Sequence, residues 1–356
     1  MDINELLIYC FNHGVSDLHL VDGDPPFIRI DGSLRRKENT PKFEEDEVQT
    51  LIYSILRDDQ IREFETTREL DFSYGGAEVC RFRVNLSRTE RGPKAVFRQI
   101  PNEPPTIETL NTSDADLFRQ FATRRQGLIL VTGTTGSGKS TTLAAIIDEI
   151  NRTRPTHIIT LEDPIEFVHE NKLSQVDQRE LGKHTYQLPE GLIRALRQDP
   201  DVILVGEMRD LVTTKLAVEA AETGHLVLST VHTNSAAQTI ERIVNICPAE
   251  EQSLVRIMLA NSLEAIISQQ LVEHKSGKGR VLATEILINN TAIAPNIKKP
   301  GGTAAINTAI QTGQCLGMHT MDQCLAELYR RELISYNTAL ERANSFDDMK
   351  TLLSRQ

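Results

Sequence analysis

The segment Gly133-Thr-Thr-Gly-Ser-Gly-Lys-Ser140 constrains this chain more than any other. It satisfies G-x-x-x-x-G-K-[ST] at every position, follows the apolar run Gly127–Thr132 and opens onto the helix-forming stretch Ser140–Ile150. Strand, glycine-rich turn and helix in that order make a phosphate-binding loop. Glycines let the backbone curl so that successive N–H groups converge on anionic oxygens. The helix start adds the positive end of its dipole. Gly133, Thr134, Thr135, Gly136, Ser137 and Gly138 supply the cradle. Lys139 is expected to reach the β- and γ-phosphates of a bound nucleotide, and Ser140 to ligate Mg²⁺ with Thr141 as a neighbouring hydroxyl. A glycine-rich turn that binds nothing is the alternative, and it leaves the flanking strand and helix unexplained.

The surroundings favour an α/β fold. His157–Leu161, Val202–Val205 and Leu226–Thr230 read as strands, with helices at Gly191–Gln198 and Leu211–Glu222 between them. That alternation predicts a mostly parallel sheet with helices on both faces. His274–Gly279 reads as a hairpin-type loop before a strand at Val281–Ile288, and the last ~65 residues read as mainly helical. At 356 residues the chain has room for two or three domains. The prolines of Pro101-Asn-Glu-Pro-Pro105 mark a boundary. Ahead of it the pattern is α+β: a helix at 2–12, short strands at Asp17–Leu20 and at Phe27–Ile30 before the turn Asp31-Gly32, and a helical stripe over 44–65. Three strands follow at Glu69–Tyr74, Arg81–Leu86 and Lys94–Gln99. Their arginines, Arg81, Arg83 and Arg98, read by default as a solvated sheet face.

Composition excludes several classes. No apolar run approaches the ~20 residues of a spanning helix. The start, MDINELLIYC, lacks the basic region and cleavage site of a signal peptide. Five scattered cysteines form no C-x-x-C, which indicates reduced thiols in a cytosolic protein. Lys and Arg number 39 against 50 Asp and Glu, a net charge of −11 that argues against a protein that simply coats nucleic acid.

Three more segments carry chemistry. Asp199-Pro-Asp-Val-Ile-Leu-Val-Gly-Glu207 puts Glu207 just past an apolar strand, where ligands collect in open α/β sheets. Asp201 begins that strand and reads as a turn or cap residue. Leu161-Glu-Asp-Pro-Ile-Glu166 also lies at a strand end, and Glu162 is the candidate to orient an attacking water. His225 and His232 flank Leu226–Thr230; His232, past the strand end, is placed to meet a γ-phosphate, and His225 reads as a strand-start residue.

The ordered set of motifs resembles the secretion ATPases of type II secretion and type IV pili, and more closely the pilus retraction ATPases of the PilT/PilU family. It runs from Ser16-Asp-Leu-His19 and Arg81-Phe-Arg-Val-Asn85, through Gly133–Thr142, Leu161–Glu166, Asp199–Asp210 and Ala221–Thr233, to Ala309–Gly313 and Gly317-Met318. The resemblance implies a PAS-like N-terminal α+β domain over 1–100, a linker over 101–112, a RecA-like ATPase core over 113–290 and a helical C-terminal region over 291–356. It implies a homohexameric motor that hydrolyses ATP with Mg²⁺ and drives pilus retraction. Its expected seat is cytoplasmic, at the inner membrane, on a platform protein of the pilus machinery and with a paralogous pilus ATPase as a further partner. Direct nucleic-acid binding is not implied. Glu162 becomes the general base, Glu207 the metal-shell acid, and His225 and His232 the family's histidine pair. Arg83 and Arg98, with Arg81 a further candidate, become residues that reach the nucleotide.

One region departs from the family. Retraction ATPases usually carry Ala-Ile-Arg-Asn-Leu-Ile-Arg-Glu after the last core strand, where this chain reads Thr291-Ala-Ile-Ala-Pro-Asn-Ile-Lys-Lys-Pro300. Pro295 and Pro300 are expected to disturb a helix there. An accessory, PilU-like motor is therefore an alternative reading. The rivals are a RecA-like nucleic-acid motor, an assembly or secretion ATPase of the same superfamily, and a ring subunit that does not hydrolyse.

Overall fold

A computed structural model describes residues 2–354 except Asp31, Glu45, 77–79 and Asn102. Asp31 of the expected turn, Asn102 of the proline segment and the last two residues of the C-terminal region thus lie outside the described residues. The chain divides into two compact units, Met1–Glu103 with Glu166–Val168, and Pro104–Ile165 with His169–Gln356.

The first unit contains α1 (Ile3–Asn12), β1 (Asp17–Val21), β2 (Phe27–Ile30), β3 (Ser33–Arg36), α2 (Glu47–Tyr53), α3 (Asp58–Thr67), β4 (Glu69–Gly76), β5 (Cys80–Thr89) and β6 (Gly92–Ile100). Among the described residues its sheet has six strands in the order β3-β2-β1-β6-β5-β4, all antiparallel. One face is apolar: Leu18, Leu20, Phe82, Val84, Leu86, Ala95 and Phe97 pack with Leu7 of α1, Ile52 of α2 and Phe64 of α3. The expected stripe over 44–65 is two helices, not one. Residues 54–57 break it, and Asp58 and Asp59 open a second helix with its own favourable first-turn acids.

The second unit contains α4 (Ala115–Ala122), β7 (Gly127–Thr132), α5 (Lys139–Thr153), β8 (His157–Glu162), β9 (Gln175–Glu180), α6 (Leu188–Ala195), β10 (Val202–Val205), α7 (Leu211–Glu222) and β11 (Leu226–Val231). It continues with α8 (Ala236–Asn245), α9 (Ala249–Ser262), β12 (Leu263–Glu273), β13 (Arg280–Ile288), α10 (Ala294–Lys298), α11 (Thr303–Thr312), α12 (Met321–Arg330), α13 (Tyr336–Arg342) and α14 (Phe346–Ser354). The sheet order is β13-β12-β7-β11-β10-β8-β9, parallel throughout except for β13. β7, β10 and β11 are buried at every position, as strands covered on both faces must be. One face carries Leu128, Leu130, Ile203, Val205, Val227 and Ile266 against α7, α8 and α9. The other carries Ile129, Val131, Ile158, Leu204 and Leu228 against α4 and α5. The C-terminal helices α12–α14 form a smaller core around Met321, Leu325, Ala339 and Met349.

Pro295 does not abolish a helix. It sits in the first turn of the five-residue α10, where an N–H is not required, and the helix ends at Lys298 before Pro300. No helix among the described residues is long and apolar enough to cross a membrane. All five cysteines are unpaired, four of them buried and Cys315 exposed.

Candidate active site

Four sequence candidates meet at one edge of the second sheet. The order β7-β11-β10-β8 makes these strands neighbours, and all are parallel. Their C-terminal ends therefore lie side by side. Gly133 follows β7, His232 follows β11, Glu207 follows Gly206 at the end of β10, and Glu162 closes β8. With strands ~4.8 Å apart, the row spans about 15 Å, the dimension of a nucleoside triphosphate.

The loop needs its glycines. Gly133 has φ +146°, and a Cβ there would stand 2.4 Å from the Gln269 carbonyl oxygen and 2.5 Å from Ser137 Oγ. Gly136 and Gly138 also have positive φ, at +79° and +91°. Gln269 of β12, not foreseen from the sequence, braces the loop: its Nε2 donates to the Ser137 carbonyl at 2.8 Å. Lys139 is buried at the first position of α5, and its Nζ donates to the carbonyls of Gly133 (2.9 Å) and Thr134 (3.1 Å). Burial pushes the ammonium pKa down, and the negative charge of Glu207 opposes that shift. Among the described residues, Ser137 Oγ is buried with no hydrogen-bond partner. An orphan hydroxyl, an ammonium with only loop carbonyls as acceptors and a curled row of N–H groups fit a polyphosphate.

The acids are held by neighbours. Glu162 Oε1 accepts from Thr160 Oγ1 (2.6 Å) and from Gln178 Nε2 (3.2 Å). Gln178 Oε1 in turn accepts from the His169 backbone N–H at 2.8 Å. Glu207 Oε2 lies 2.7 Å from the Arg209 guanidinium and 3.3 Å from His232 Nε2. Ser140 is exposed at the start of α5. Its hydroxyl and the Glu207 carboxylate are hard oxygen donors of the kind Mg²⁺ takes together with phosphate oxygens and waters.

The remaining candidates stand elsewhere. His225 precedes β11, at the opposite edge of the sheet from His232, and its Nδ1 bonds the Ala220 carbonyl at 3.0 Å. This chain does not bring it to the phosphate loop. Asp201 is a cap, accepting the His157 N–H at 2.9 Å. In the first unit, Arg83 and Arg98 are directly opposite partners on β5 and β6. Like charges so placed repel, and each has its own carboxylate: Arg98 Nε donates to Asp17 at 2.8 Å, and Arg83 lies 3.6 Å from Glu166.

His169 gives a pH signature. It is 8% exposed, its Nδ1 has no partner among the described residues, and burial pushes its pKa down to about 4. The unfolded chain takes up a proton near pH 6.5 that the folded chain refuses, so stability falls as pH drops through that window. The loss should reach on the order of 3 kcal/mol by about pH 4. Thermal unfolding of His169→Gln should depend less on pH between 7 and 4.5 than that of the wild type. Identical slopes would refute the assignment.

A parallel sheet with a phosphate loop after one strand and acids at the ends of its neighbours defines a P-loop ATPase. The family model "Type II/IV secretion system protein" matches residues 12–351. "Type IV pilus retractation ATPase PilT" of Pseudomonas aeruginosa is 52% identical over 343 residues, covering 96% of this chain and 98% of that protein. "Type IV pilus ATPase PilU" of the same organism is 36% identical over 353 residues, covering 99% and 91%. The crystal structure of the pilus retraction motor PilT with bound ADP superposes with a TM-score of 0.90 at 44% identity, covering 99% of both chains. This chain belongs to the type II/IV secretion ATPases, in their PilT-type pilus retraction branch. It is a nucleotide-binding ATPase.

Proposed function

We propose that this chain is a homohexameric motor that couples Mg²⁺-dependent ATP hydrolysis to retraction of a type IV pilus. The observation that carries the chemistry is the row of Gly133, His232, Glu207 and Glu162 on four adjacent parallel strand ends. The loop N–H groups and Lys139 bind the phosphates. Ser140 and Glu207 would hold Mg²⁺, which when bound draws charge from the phosphate oxygens. Glu162, aimed by Thr160 and Gln178, orients a water and takes its proton. His232, beside Glu207, faces the γ-phosphate. Arg83 and Arg98 keep the part that family likeness gives them, neutralising charge at the phosphates. The motor acts in the cytoplasm, at the inner membrane, through a platform protein of the pilus machinery.

Deleting the gene in its host should leave surplus surface pili and abolish twitching, with rescue by the wild-type chain but not by Lys139→Ala. Normal pilus number and twitching in the deletion strain would overturn the reading. A second reading, an accessory motor beside a paralogous ATPase, is favoured by the altered segment at α10, bounded by Pro295 and Pro300. It expects deletion to weaken retraction without abolishing it.

A further inference from the structure

Glu285 is a carboxylate in the largely apolar strand β13, and it is 4% exposed. It accepts the backbone N–H of Ala236, the first residue of α8, at 2.8 Å. The backbone N–H of Met321, the first residue of α12, also favours its charged form. Two helix starts from distant parts of the chain thus converge on one side chain. Each brings an unsatisfied N–H and the positive end of a dipole. These offset the cost of burying a carboxylate, which burial alone would neutralise.

The position of α8 gives the carboxylate a second use. His232, Thr233, Asn234 and the N-cap Ser235 are all that separates β11 from α8. Thr233 Oγ1 hydrogen-bonds Thr239 Oγ1 at 2.7 Å, and Thr239 Oγ1 also donates to the Ser235 carbonyl at 2.8 Å. The His232 loop is therefore pinned to the first turn of α8, and the start of α8 is pinned to Glu285. Across the sheet, Glu285 pairs with Ser268, which pairs with Thr132, the residue before Gly133. Ser268 Oγ accepts from Thr132 Oγ1 at 2.9 Å.

We propose that Glu285 is a positioning residue for ATP hydrolysis: by anchoring the start of α8 it holds His232 in place beside Glu207. The inference rests on His232 facing the γ-phosphate. Glu285→Gln in the full-length protein tests it, because the amide oxygen can accept from one helix start while the amide N–H₂ opposes the other. A displacement of ~1 Å at His232 should lower kcat about tenfold. Affinity for ADP should stay within about twofold, since the phosphate loop is untouched. The preference for AMP-PNP over ADP should fall towards that of His232→Ala. The double variant should be no slower than His232→Ala alone, the signature of two residues acting through one step.

Wild-type kcat in Glu285→Gln, or losses that multiply in the double variant, would overturn the proposal. Unchanged kcat and nucleotide preference in His232→Ala would instead show that the His232 assignment has failed, and the proposal would fall with it. If Glu285→Gln does not fold, Ser235→Ala loosens the same helix start from its half-buried cap. It should lower kcat about threefold, again without multiplying the loss in His232→Ala.

Discussion

Replacing Lys139 with alanine is expected to cut ATP turnover by about a thousandfold or more and to remove most affinity for ADP. Lys139 is buried, and among the described residues its Nζ has the Gly133 and Thr134 carbonyls as its acceptors. An ammonium held in a low-dielectric loop interacts strongly with any anion that enters, and phosphate oxygens are better acceptors than amide carbonyls. Removing it leaves the N–H cradle intact but without its fixed positive charge. Arginine should not restore activity, because its planar fork does not fit where a compact ammonium sits. Steady-state hydrolysis and fluorescent ADP binding on the assembled protein give the test. Turnover within tenfold of wild type would refute the assignment.

Glu162→Gln is the second large effect, and it should separate binding from chemistry. The side chain keeps its size and its position next to Thr160 and Gln178, so nucleotide affinity should hold within about twofold. Loss of the proton acceptor should lower kcat by roughly 10²- to 10⁴-fold. A variant that turns over normally would remove Glu162 as the base. Loss of both kcat and affinity would mean that it serves in binding instead.

Much of the site was legible because motif spacing ties function to strand ends. Gly133–Ser140, Glu162, Glu207 and His232 each follow a short apolar run. In a parallel sheet, residues that follow such runs share an edge. His225 shows the limit of that logic: its motif is contiguous with that of His232, yet β11 runs between them and carries them to opposite edges. The residues that brace the site were not legible. Gln178 lies on β9, whose sequence Gln-Val-Asp-Gln-Arg-Glu has one apolar residue, and an edge strand needs few. Gln269 lies on β12, which starts directly at the end of α9 with no glycine or proline to mark the change. The break inside 44–65 has no such marker either. At Pro295 and Pro300 the expected disturbance is partial: proline is tolerated in a first turn, and the five-residue helix stops before Pro300. Glu285 did leave a signal: a lone acid among the apolar residues of Val281–Ile288 asks what its buried charge is bonded to.

The strand-end row has a consequence for how such a motor could diversify. Spacing among the four groups is fixed by main-chain hydrogen bonds between strands buried on both faces, so it depends little on which surface residues surround them. The sheet works as a ruler, and its graduations belong to the backbone. Firing and pulling are then separable inheritances. Lineages could rewrite the outer surfaces of helices such as α13 and α14, while the spacing that times hydrolysis passed on unaltered.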